Sequence, residues 1–218
     1  MDVADTLITS LWESLKMGEL VVIERTDSRD QYFGLYQLLT WGESKGYKII
    51  VVDVFDSFHL IKAKARLTGI NTEIFDRVAA IKIGGKIRTG RVVGTVEEVS
   101  EPAILIKKFK EAYEKALTSD EPILTIVLGL EKLFIASEFS SKNVQAIIRL
   151  MSKYVGDERR LGIHLVKTSI IDPSKQSVIN LLEDIATTVI RVSKKDKITE
   201  FHVVKSVNRR LEGMTVRV

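Results

Sequence analysis

Apolar residues recur along this chain in two alternating rhythms. Leu7, Ile8, Leu11, Trp12 and Leu15 fall on one face of a helix, which Gly18 closes. Leu20 to Ile23 is an unbroken apolar run of strand length, and Tyr32 to Glu43 returns to helical spacing with Leu35, Leu38 and Leu39 inward. The same exchange repeats: a strand over Tyr47 to Asp53, a helix over Phe58 to Leu67 ended by Gly69, and a strand over Ala79 to Ile83. Arg91 to Val99 reads as another strand, with Gly84, Gly85, Gly90 and Gly94 between or within the two. Pro102 then opens a helix that places Leu105, Ile106, Phe109, Ala112, Tyr113, Ala116 and Leu117 on one stripe. Ile123 to Leu128 is a strand. Ser140 or Ser141 caps a helix carrying Val144, Ile147, Ile148, Met151 and Val155. Leu161 to Val166 is a strand, and Ser174 to Ala186 a helix after Pro173.

The end of the chain breaks the alternation. Thr188 to Val192, Glu200 to Ser206 and Met214 to Val218 read as three strands with no helix between them. Alternating strands and helices imply a mostly parallel sheet with helices on both faces, an α/β three-layer αβα sandwich. Three strands in succession imply antiparallel pairing at the C-terminal edge of that sheet. No long Pro/Gly/Ser tract or repeat interrupts residues 1–218, which therefore read as one domain.

Composition narrows the chemistry. There is no cysteine, which excludes disulfides, thiolate metal sites and cysteine nucleophiles. His59, His164 and His202 share no metal-ligand spacing, so the expected metal set is none, and His164, inside an apolar strand, reads as a satisfied core histidine. No apolar run reaches the roughly 18 residues of a membrane span, and the first residues alternate polar and apolar rather than forming a signal peptide. The expectation is a cytoplasmic protein with no membrane partner. A net charge of +4 permits attraction to nucleic acid without arguing for it, and the basic clusters read as solvated faces or turns. Few Gln, no Cys and many Lys and Glu fit a thermophile.

The turn after the first strand carries the sharpest signal. Glu24-Arg25-Thr26-Asp27-Ser28-Arg29-Asp30-Gln31 stands between strand and helix, where a phosphate-binding loop would read Gly-x-x-x-x-Gly-Lys-Ser/Thr. On that pattern Glu24 and Arg29 replace the glycines, Asp30 the lysine and Gln31 the hydroxyl residue. Acidic side chains suit the N-terminus of a helix. Glu24, Asp27 and Asp30 would cap it and repel a triphosphate, with Arg25 and Arg29 as their ion-pair partners. Gly84-Gly85-Lys86 resembles the end of such a loop, but Ile87 follows, and the segment reads as a turn between strands.

The order of elements resembles the RecA-like ATPase domain, and within it the KaiC and RadA branch. Tyr47-Lys48-Ile49-Ile50-Val51-Val52-Asp53-Val54-Phe55-Asp56-Ser57 looks like that branch's second strand running into an acidic pair. Asp184 to Val192 looks like its late strand, and Phe201-His202-Val203-Val204-Lys205-Ser206 like its terminal strand. More narrowly, the chain is similar to RecA-like proteins of hyperthermophilic archaea. The resemblance implies a nucleotide cleft built from Glu24, Arg25, Asp27, Arg29, Asp30, Gln31, Asp56, Gly129 and Lys205. At each motif the expected residue has changed. Gly129 stands where an aspartate would hold Mg²⁺, with Glu131 two residues on as a helix-start acid. Phe55 and Asp56 stand at the catalytic acid pair, and Asp56 also reads as the cap of the next helix. Lys205 is retained from the terminal Lys-x-Arg, but Val207 replaces the arginine.

These readings lead to a fold kept without its chemistry: no catalytic residue, no cofactor, and a non-catalytic module that binds a protein partner or its own copies. Two alternatives stand beside it. One is DNA binding without ATP hydrolysis, through loops near Gly129 to Ser140 and Thr168 to Ser177, where Lys175 faces Asp172 in the count. The other is an atypical nucleotide or small-molecule site using Asp53, Asp56, Arg25 and Arg29.

Overall fold

The computed structural model describes residues 3–26, 31–136, 140–195 and 198–217. The strands are β1 (Leu20–Arg25), β2 (Lys48–Val54), β3 (Ala79–Ile83), β4 (Arg91–Val96), β5 (Ile123–Leu128), β6 (Arg160–Lys167), β7 (Thr188–Lys195), β8 (Ile198–Ser206) and β9 (Thr215–Arg217). They form one sheet in the order β4-β3-β2-β5-β6-β1-β7-β8-β9. Pairing is parallel from β4 through β7. It is antiparallel for β7–β8 and β8–β9. The expected α/β sandwich with an antiparallel C-terminal edge is what the chain forms.

Strand alternation sorts the helices into two layers. Val21 and Ile23 of β1 join the core that packs under α1 (Val3–Glu13), α2 (Tyr32–Ser44), α3 (Ser57–Leu67) and α4 (Glu73–Arg77). Leu20 and Val22 face the other way, toward α6 (Leu130–Ile135), α7 (Ser141–Ser152) and α8 (Gln176–Ile185). The long helix α5 (Pro102–Ala116) completes that second layer through Leu105 and Tyr113. β1, β2, β5 and β6 are apolar on both faces because both faces are covered.

Among the α-helices, the short α4 and α6 were not read from the chain as full elements, although Glu131 was expected to start a helix. β4 ends at Val96 rather than Val99, and β7 runs on past Val192 to Lys195. Ser140 is the residue that caps α7, its side chain accepting from the Asn143 N–H. His164 is a correction. It is buried at 5% exposure, yet among the described residues neither ring nitrogen has a hydrogen-bond partner, against the expectation of a satisfied core histidine.

Candidate functional site

Parallel sheets present their C-terminal strand ends as the binding edge. Here that edge carries Glu24 and Arg25 of β1, Asp53 of β2, Gly129 after β5 and Lys167 of β6. Asp27, Arg29 and Asp30 lie outside the described residues. Gln31 opens α2 by its backbone: the Leu35 N–H donates to the Gln31 carbonyl at 2.9 Å, and the side chain makes no cap bond.

Glu24 belongs to the strand rather than to a loop, so its side chain is directed by the sheet. It is buried and lies opposite Arg191 of β7 in register. Arg191 Nε donates to Glu24 Oε2 at 3.0 Å, and its Nη2 to Glu183 Oε1 on α8 at 2.6 Å. Its described partner is therefore on a neighbouring strand; Arg29, expected as a partner from the same turn, lies outside the described residues. Burial raises the Glu24 carboxyl above its ordinary range, the charge of Glu183 adds to this, and Arg191 opposes it. Lys205 approaches the same helix. Its Nζ donates to the Glu183 and Asp184 carbonyls at 2.9 and 3.1 Å, so it caps the C-terminal turn of α8.

The second group surrounds the start of α3. Phe55 and Asp56 both adopt left-handed backbone, φ 49° and 57°, where non-glycine residues are strained. That pair of reversals turns the Asp56 side chain away from α3, so the expected helix cap is not made. Asp53 does it instead: its Oδ1 accepts from the Phe58 N–H at 2.9 Å. Asp56 points back to the end of β3. Its two oxygens accept the Lys86 and Ile87 N–H groups at 2.9 and 3.0 Å. Gly84 and Gly85 have φ 62° and 72°, and a Cβ on Gly85 would run into the Asp56 carboxylate. The glycine turn is thus an anion-binding nest whose anion is a side chain of this protein.

Lys82 joins the two acids. It is 3% exposed, and its Nζ lies 2.8 Å from Asp53 Oδ2 and 2.7 Å from Asp56 Oδ1. Burial works against both charges. For Asp56 the bonds from Lys82 and the two N–H groups outweigh it, and the carboxyl lies below its ordinary range. For Lys82 the two carboxylates outweigh it, and the amine lies above. Asp53 and Asp56, expected as ligand groups of an atypical site, are both held by Lys82.

Gly129 has φ 77°, and a Cβ there would meet Ser57 Oγ and stand 2.8 Å from the Val54 carbonyl oxygen. No acidic side chain fits at this position. Glu131 does stand in the first turn of α6, as expected, but it is 6% exposed and Oε2 has no partner. Burial pushes its carboxyl up to about 7, against the pull of Lys132 and Lys167. The cations nearby are engaged by protein oxygens: Lys132 Nζ by the Phe55 carbonyl at 3.2 Å, and Lys175 Nζ by the Phe134 carbonyl at 3.0 Å. Asp172, the acid counted against Lys175, instead accepts from the Ser174 N–H. Among the described residues no cluster of three or more His, Asp or Glu side chains is placed to hold a metal ion. No helix among them is long and apolar enough to cross a membrane.

The described residues expected in the cleft fall into two groups with β6 between them. Glu24 and Lys205 gather at the end of α8, and Asp56 and Gly129 at the start of α3. Lys82 was missed, although a lone lysine inside the apolar strand Ala79–Ile83 is a signal that acids lie opposite.

A protein family described as "Pyrococcus protein of unknown function, DUF257" matches residues 10–217. The chain belongs to this family. Among solved structures, this DUF257 member is similar to a protein of Pyrococcus horikoshii OT3, with 22% identity, 95% of this chain and 96% of that one covered, and a TM-score of 0.81. It is also similar to the RadB recombinase, with 14% identity, 93% and 87% covered, and a TM-score of 0.54. No curated protein matches it. At these identities the likeness speaks for the fold, which is RecA-like, and for nothing finer.

Proposed function

We propose that this DUF257 protein is a RecA-like module of the KaiC and RadA type that no longer binds Mg-ATP in the ordinary way. On this reading it acts by binding a protein partner or further copies of itself, as a regulator or scaffold. The observation that carries it is the closure at Gly129. An acid that positioned Mg²⁺ from the end of β5 would need space that Ser57 and the Val54 carbonyl already fill.

The electrostatics support the same reading. A triphosphate needs free donors and cations. Lys82, Arg191 and Lys205 are each committed to oxygens of the protein. The glycine turn after β3, the feature closest to a phosphate cradle, holds Asp56.

Thermal unfolding with Mg-ATP, ATP and ADP tests the loss of nucleotide binding. A ligand specific for the folded state stabilises by about 2.7 kcal/mol at a hundredfold excess over its Kd. The expected result is no shift, and a clear upward shift overturns the proposal. Light scattering on the isolated chain separates self-association from partner binding. Salt-dependent binding to single- or double-stranded DNA would favour nucleic acid as the partner instead.

A further inference from the structure

A second feature lies between the sheet and the α5–α7 layer. There a cavity of ≈ 60 Å³ is walled mainly by apolar side chains of β2, α5, α6 and α7. Five side chains with polar groups also line it: Tyr113, Thr125, Tyr154, Arg160 and His164. Phe109 and Leu150, both half-buried, stand at its rim.

The polar groups satisfy one another only in part, with Tyr113 interacting with both Arg160 and Thr125. Arg160 is 3% exposed, and its Nη2 donates to the Tyr154 carbonyl at 3.1 Å while its Nε has no partner. Its guanidinium lies flat on Gly162, with Cζ 2.8 Å from where a Cβ would be, and so reaches along β6 toward His164. It also lies over the Tyr154 ring. Among the described residues it forms no ion pair: Asp157 pairs with Arg159, and Glu114 accepts from the Tyr154 hydroxyl. His164 offers two unpartnered nitrogens. Tyr113 and Thr125 share one hydrogen bond of 2.7 Å, and two hydroxyls sharing one bond leave one proton over.

The balance of these groups defines the missing ligand. Left over are the Arg160 Nε–H, one imidazole N–H and one hydroxyl proton, against a single imidazole acceptor. A surplus of donors beside a buried cation that forms no ion pair among the described residues calls for an anion, because buried charges are paired. Burial and the Arg160 charge hold the His164 imidazole down to about 3, so it meets a ligand as the neutral ring. A cavity of about 150 Å³ takes benzene, which scales this one to about two to four heavy atoms. The walls suit a short hydrocarbon tail.

We propose that this cavity is a binding site for a small aliphatic monocarboxylate, with its carboxylate between Arg160 and His164 and its tail against the apolar wall.

Side-chain ¹⁵N NMR on the histidine-labelled chain reads the site directly. It is titrated with sodium acetate, with ethanol, and with sodium chloride at matched ionic strength. Acetate alone moves the His164 ring signals, and the movement saturates. Arg160→Met weakens the response about tenfold or more, as loss of a charged hydrogen bond requires. Because that variant also gives up the bond to Tyr154 and risks the fold, Leu150→Trp serves as the second. It blocks the half-buried rim and abolishes the response while the spectrum stays dispersed. No movement with acetate, or an equal movement with ethanol or chloride, overturns the proposal. So does a crystal structure grown in acetate in which water joins Arg160 to His164.

Discussion

Ser57 Oγ occupies the space in which a Cβ at position 129 would lie, and it is held there by donating to the Val54 carbonyl at 2.6 Å. Three segments, the end of β2, the start of α3 and the end of β5, meet at this point with no room for a side chain.

Gly129→Ala is expected to lose about 2–4 kcal/mol, from the left-handed backbone and the contact together. Denaturant unfolding measures it. Gly129→Asp, which supplies the acid missing from the motif, is expected to destabilise at least as much and to give no Mg-ATP binding. Nucleotide binding by that variant would refute the steric account.

Lys82→Met leaves Asp53 buried and Asp56 half-buried without their cation. The expected cost is about 3–5 kcal/mol, as for a broken buried pair. Asp56→Asn keeps the Lys82–Asp53 pair and is expected to cost less, about 1–3 kcal/mol. The pH dependence has two sides. Asp56, lowered in the fold, contributes stability that is lost as pH falls from its ordinary value of 3.8 through its folded one. Lys82, raised in the fold, contributes stability that is lost as pH climbs above 10.5 through its folded value. Unfolding curves across both ranges check the signs.

Glu131 gives the opposite slope near neutrality. Its folded pKa of about 7 lies above the unfolded 4.5, so the native state holds the extra proton between them. Stability conferred by that proton is complete below pH 4.5 and lost as pH rises through 7. Glu131→Gln is expected to remove this fall, which is at most about 3 kcal/mol. The difference between wild type and variant, measured from pH 4 to 8, is the test.

His164 acts in the acid direction. Its folded pKa of about 3 lies below the unfolded 6.5, so stability present above pH 6.5 is lost as pH falls toward 3. His164→Gln is expected to flatten that slope. An unchanged slope would mean that the imidazole is protonated inside the fold.

How much of this was legible depends on what each residue's neighbours reveal. The strand–helix order was, because apolar runs such as Ile123–Leu128 record burial on both faces of the sheet. The helices α4 and α6 were not, since five or six residues are too few to display a helical period. Asp56 looked like a cap because acid before helix is the common case. Only the successive positive φ values of Phe55 and Asp56 redirect it, and two ordinary residue types give no warning of that. His164 looked satisfied because sequence shows a residue's strand but not the helix layer over it. The Arg191 partner of Glu24 went unread for a related reason: β7 joins β1 after an interval of more than 160 residues.

The carboxylate in the glycine turn has one more consequence. A side chain tied to its nest by a few bonds competes there at an effective concentration of roughly millimolar or above, which no dilution lowers. A free phosphate or nucleotide would have to displace an occupant that cannot diffuse away. The state of this turn is therefore set by the chain alone and stays constant while the metabolites around it rise and fall.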